Sequence, residues 1–101
     1  MQIFNLDSLK SFPYEEREKN VFFKTKEFKI RIIDLIPNKR MPDCEMSSHV
    51  ILIVVEGEVK IKVNKDKATL IKNQCLVTEP GLISMETKTG ARLVGIQINK
   101  N

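Results

Sequence analysis

From residue 21 onward the chain breaks into short apolar runs separated by turn residues, and several of these runs alternate apolar with polar positions. Residues 28–36 begin in this way. Phe28, Ile30 and Ile32 fall on one side of an extended chain and Lys29 and Arg31 on the other, because successive side chains of a strand point to opposite faces. Residues 58–63 alternate strictly, with Val59, Ile61 and Val63 set against Lys60 and Lys62. Residues 49–55 are almost continuously aliphatic, the pattern of a strand covered on both faces. Shorter runs at 21–23, 68–71, 76–78 and 82–85, and a last one at 93–98, complete the set. Pro37-Asn38, Glu56-Gly57, the stretch from Asn64 to Lys67, Pro80-Gly81 and Gly90 supply the breaks. About eight short strands at this even spacing predict an all-β sandwich or barrel and argue against a βαβ fold. Residues 1–20 hold the only prospect of a helical turn, with Asp7 or Ser8 as its cap and Pro13 as its limit. They are read as an irregular or helical extension of a single domain spanning residues 1–101.

Composition narrows the functional classes. The 101 residues are 42% hydrophobic and 30% charged, which fits one soluble globular domain. The longest apolar run, residues 50–55, is too short to cross a bilayer. The first twenty residues carry Asp7, Glu15, Glu16 and Glu18 and do not look like a secretory signal, so a cytoplasmic location is expected. The net charge of +4 is dispersed over positions that read as wet strand faces. With one Tyr, no Trp and no recognition helix in prospect, neither nucleic acid nor a membrane is expected as a partner. Cys44 and Cys75 are read as small buried hydrophobes and not as a disulfide.

The segment from Leu35 to Pro42, and Val54-Val-Glu-Gly-Glu-Val59 after it, resemble the first sequence motif of the cupins. Laid on residues 38–57 without a gap, that motif puts Asn38 and Gly57 at its two glycines, Cys44 and Met46 at its two histidines and Val50 at its glutamate. The second motif falls on residues 73–88. It puts Asn73 and Gly81 at its glycines, Glu79 at its proline, Ser84 at its histidine and Lys88 at its asparagine, with Pro80 one place late. The resemblance implies a double-stranded β-helix, a small jelly-roll-like barrel, often paired as a homodimer. It also implies that the metal positions have lost their donors, because three histidines and a glutamate are what such a site uses. Here those positions carry Cys44, Met46, Val50 and Ser84, so no metal and no cofactor are expected.

Cys44 and Met46 are two residues apart and share a face of an extended strand, where a thiol and a thioether would suit monovalent copper or simply fill the core. His49, the single histidine, is the one further polar candidate, although alternation points it away from the side that Val50 takes. No acidic pair, phosphate loop or nucleophile elbow stands out. The reading is therefore a non-catalytic barrel whose pocket is lined by Cys44, Met46, Val50 and Ser84. It would bind or sense a small apolar molecule, or serve as a structural homodimer joined through the aliphatic residues 51–55. The alternative is an isomerase or oxygenase-like enzyme with an atypical metal or none.

Overall fold

A computed structural model describes residues 1–99 of the chain. Eight antiparallel strands form one curled sheet: β1 (Val21–Lys24), β2 (Phe28–Leu35), β3 (Arg40–Met46), β4 (Val50–Val63), β5 (Asp66–Ile71), β6 (Cys75–Thr78), β7 (Gly81–Glu86) and β8 (Ala91–Ile98). The path of pairing runs β1-β2-β8-β4-β7-β3, with β5 and β6 added to β4. A 3-10 helix, Tyr14–Asn20, precedes β1. Pro13 stands immediately before this helix with φ −58°, so it opens the helix where the sequence suggested a limit. A fixed φ and a missing N–H suit the first positions of a helix. Asp7 and Ser8 belong to an earlier turn, in which the Ser8 amide donates to the Asn5 carbonyl at 3.2 Å.

The strand β4 replaces two runs that the sequence pattern kept apart. Its first half pairs with β6 and β8 and its second half with β5 and β7. Buried positions switch from even (Val50, Leu52, Val54) to odd (Val59, Ile61) across a register shift between Val54 and Glu56. One extra residue re-aims the chain, as β-bulges do, and Gly57 takes the bend with φ +84°. A Cβ there would lie 2.1 Å from the Gly90 carbonyl oxygen and 2.9 Å from Ala91 Cα, so only glycine lets β4 touch the start of β8. Thr87 secures the same corner: its hydroxyl donates to the Glu58 carbonyl at 2.6 Å and accepts from the Gly90 amide at 2.9 Å.

Strand β3 lacks the alternation of its neighbours because Pro42 interrupts it. It tolerates the proline by lying at the end of the pairing path and by breaking register between Met41 and Cys44. The core lies inside the curl and is built from Leu35, Leu52, Val54, Val59, Ile61 and Leu93 with their neighbours.

The outer face of β2 and β8 is apolar too, and the N-terminal segment lies across part of it. Arg92 of β8 donates to the Leu6 and Leu9 carbonyls and pairs with Asp34 of β2, whose carboxylate also accepts from Ser11 at 2.8 Å. Further along the chain, the Asn20 side chain accepts from the Phe12 amide at 2.7 Å and donates to its carbonyl at 3.0 Å. Ile32, on the face of β2 that bears Asp34, is 1% exposed. This reverses the sense of the alternation in β2. Phe28, Ile30 and Ile32 face the extension, and Arg31 shares the inner face with Ile33 and Leu35. The Arg31 position is therefore not a solvated strand face.

Candidate functional site

The five residues singled out by sequence fall in four places. Cys44 and Met46 lie half-buried on the inner face of β3, opposite Ile83 and Gly81 of β7. Their sulfurs are 3.7 Å apart. Val50 is buried in the core of the barrel. Ser84 is a correction: it is buried, but on the opposite face of β7 from the core residues Ile83 and Met85. Its pairing partner is Lys62, and it lines a small outer depression with Arg40, Lys60 and Glu86. The inward neighbour of Cys44 is Ile83, because strand alternation at β7 follows Gly81, Ile83 and Met85. His49 is exposed and contributes only its carbonyl, which accepts from the Ile98 amide at 3.0 Å. Cys75 is exposed on β6 and so is not the buried hydrophobe expected from its type; both cysteines are free. Among the described residues no group of three or more His, Cys, Asp or Glu side chains converges as metal ligands do.

Sequence reasoning missed a cavity of about 810 Å³, which lies between β2, β3, the bend of β4 and the segment Ser11–Asn20. Its apolar floor comes from Phe12, Ile33, Leu35 and Met41. Its charge comes from arginine. All four arginines of the chain, Arg17, Arg31, Arg40 and Arg92, line this one cavity, whereas Lys39 is the only described lysine that does. Two acids, Asp34 and Glu56, line it as well, and Asp34 is committed to Arg92.

Tyr14, at the start of the 3-10 helix, joins the cavity to the inner face of β3. Burial first, and then the neighbouring Cys44, push its phenol above the ordinary tyrosine value, against the opposing influence of Arg17 and Arg31. The phenol therefore remains a hydrogen-bond donor throughout the neutral range. The Arg17 guanidinium stacks over the Tyr14 ring at 4.4 Å and donates to the Tyr14 carbonyl at 3.2 Å. Arg31 lies against Gly95, at which an added Cβ would meet Ile33 Cδ1 at 3.2 Å, Leu52 Cδ2 at 3.5 Å and Arg31 Cγ at 3.6 Å. The glycine leaves room for an arginine stem inside the curl. The one sequence signal for this site was the division of labour between the two cations, few arginines among many lysines, which reading by net charge erases.

No family model matches the sequence, and no curated protein matches it. Solved structures do match. A cupin superfamily protein from Desulfitobacterium hafniense DCB-2 superposes with a TM-score of 0.73 at 12% identity, over 79% of this chain and 74% of that one. The fold is that of the cupins. An uncharacterized conserved protein with a double-stranded β-helix domain from Klebsiella pneumoniae subsp. pneumoniae extends the likeness to the full chain, with a TM-score of 0.82 at 14% identity over 100% of this chain and 92% of the other. The TT1209 protein of Thermus thermophilus matches over 100% of both chains with a TM-score of 0.81 at 19% identity.

Within the cupin fold the motif spacing acquires a physical meaning. The positions at which the cupin motifs place glycine include Asn38, Gly57 and Asn73, and these have φ of +63°, +84° and +71°. Asparagine is the residue that best replaces glycine in the left-handed region. No helix among the described residues is long and apolar enough to cross a membrane.

Proposed function

We propose that this protein is a non-catalytic cupin-fold binding module that holds a small molecule in the 810 Å³ cavity and acts as a homodimer. The observation that carries the reading is the contrast between two places. The cavity combines an apolar floor with a few convergent polar groups, which is the usual make-up of a ligand pocket. The inner face of β3, where the cupin motifs place metal ligands, holds Cys44 and Met46 beside Val50 and Ile83. Valine and isoleucine offer no donor atom, and one thiol with one thioether falls short of the three or four protein donors that an iron, manganese, nickel or zinc site takes. The homodimer is supported by the outer face of β4, β6 and β8. There Ile51, Ile53, Cys75, Val77 and Ile96 form adjoining rows without a charged side chain. Val77 is 67% exposed on the edge strand β6. A face of this kind, uncharged across two rows, is best matched by its own copy about a two-fold axis.

The test has two parts. The protein is incubated with each metal, desalted and assayed for metal per chain. It is then screened for ligands by thermal shift. The expected result is less than about a tenth of an equivalent of iron, manganese, nickel or zinc, together with small molecules that raise the melting temperature in a dose-dependent way. Stoichiometric binding of one of these metals, or a screen without a single stabilising compound, overturns the reading. The 3.7 Å approach of the Cys44 and Met46 sulfurs favours a second reading, a site for reduced copper. It predicts one equivalent of copper in the native protein and none in Cys44→Ser.

A further inference from the structure

The placement of the arginines allows the ligand class to be named, on the premise that the cavity is a binding site. Arginine and lysine are not interchangeable: the planar guanidinium fork matches a carboxylate with two parallel hydrogen bonds, while the ammonium group is a compact, strongly hydrated point charge. This chain spreads its lysines over its surface and gathers every arginine at one cavity.

Their commitments differ. Arg92 is fully engaged by Asp34 and the Leu6 and Leu9 carbonyls and serves structure. Arg40 lies near Asp43 at 4.0 Å with both side chains open to water. Arg31 is different. Its side chain is 18% exposed, yet among the described residues its only acid is Glu18 at 3.5 Å, which is 73% exposed and also lies 3.9 Å from Lys29. A half-buried guanidinium with a shared, solvent-screened partner has unspent capacity for an anion. Arg17 lies over the Tyr14 ring. Tyr14 brings a hydroxyl that feels both Arg17 and Arg31.

We propose that this cavity is a site for a small organic monocarboxylate, whose carboxylate sits between Arg31, Arg17 and the Tyr14 hydroxyl and whose hydrocarbon body rests on Phe12, Ile33, Leu35 and Met41. The apolar floor disfavours a fully hydrated inorganic anion, and the cations disfavour a neutral or basic molecule. Tyr14 and Arg17 come from the 3-10 helix while Arg31 comes from β2. Loading the site therefore ties the helix to the barrel.

The test is calorimetric titration of the full chain with octanoate and benzoate, against octanol, octylamine and inorganic phosphate as controls. Octanoate or benzoate is expected to bind, with the dissociation constant raised tenfold or more in Arg31→Gln and in Arg17→Gln and several-fold in Tyr14→Phe. The melting temperatures of the unliganded variants should stay close to that of the parent. Arg17 is exposed, so its variant carries the test if Arg31→Gln does not fold. Octanol or octylamine binding as well as octanoate, with no change in either arginine variant, sinks the carboxylate assignment and leaves a neutral apolar pocket. Phosphate outcompeting octanoate sinks it too and points to a phosphorylated ligand. Silence from both carboxylates overturns the proposal by itself; the underlying pocket reading falls only if a broad fragment screen is silent as well.

Discussion

At the scale of the residue, three left-handed positions set the limits of substitution. Gly57 faces the backbone of Gly90 and Ala91 at distances no Cβ can occupy, whereas Asn38 and Asn73 already carry side chains in the same region of φ. Gly57→Ala is therefore expected to destabilise the protein by about 3 kcal/mol, from backbone strain and a clash that no rotamer relieves. Asn73→Gly should change stability by less than about 0.5 kcal/mol. Thermal unfolding of the pair decides the matter, since about 1 kcal/mol moves the midpoint of a domain this size by several degrees. Equal losses in the two variants would show that the β4–β8 contact is looser than the distances imply. Arg92 makes a second sharp case at this scale. Arg92→Ala removes two carbonyl contacts and an ion pair, which should cost about 2 kcal/mol. It should also raise amide exchange in residues 1–12 far more than in β4. Unchanged protection there would mean that the segment is held by its apolar contacts alone.

At the scale of the element, what could be read from sequence depended on which force fixed each strand. Alternation found β2, the second half of β4 and β8, because burial on one face imposes a period of two. It could not find β3, in which Arg40, Pro42 and Asp43 interrupt the apolar series and pairing with β7 supplies the order. It also cut β4 at Glu56-Gly57, since a bulge glycine and a turn glycine leave the same mark on a sequence. The site divided in the same way. Motif spacing grouped Cys44, Met46, Val50 and Ser84 around one pocket, whereas the alternation of β7 turns Ile83 and Met85 inward and Ser84 outward. Tyr14, Arg17 and Arg31 stayed hidden. Two of them sit on a 3-10 helix whose docking no local pattern specifies, and the third carries a charge on what proved to be the inner face of its strand. The aromatic packing that anchors the extension was equally silent: Phe4 meets Phe22 at 4.9 Å and Phe23 at 6.2 Å. Contacts across such a separation in sequence have no periodicity to betray them.

At the scale of the whole molecule, the proposed homodimer rests on the uncharged face of β4, β6 and β8. Val77→Asp places a carboxylate on that face, on the edge strand β6 where Val77 is open to water in the single chain. The monomer should lose little stability, but a dimer would have to bury an unpaired charge, so its dissociation constant should rise at least about tenfold. Sedimentation velocity across a concentration series reads this directly, and parent and variant sedimenting alike would remove this face from consideration. The N-terminal segment has the opposite character. It forms one wall of the cavity, and near Arg92 it is fastened by a single guanidinium to two of its carbonyls and by Ser11 to Asp34. A wall held by so few fastenings opens by local fraying well before the barrel unfolds. Under the proposed binding role, this strap would act as a gate for ligand capture. At high ligand concentration the observed association rate should level off at the opening rate of this strap, and loosening the strap should speed entry and exit together while leaving the carboxylate contacts themselves untouched.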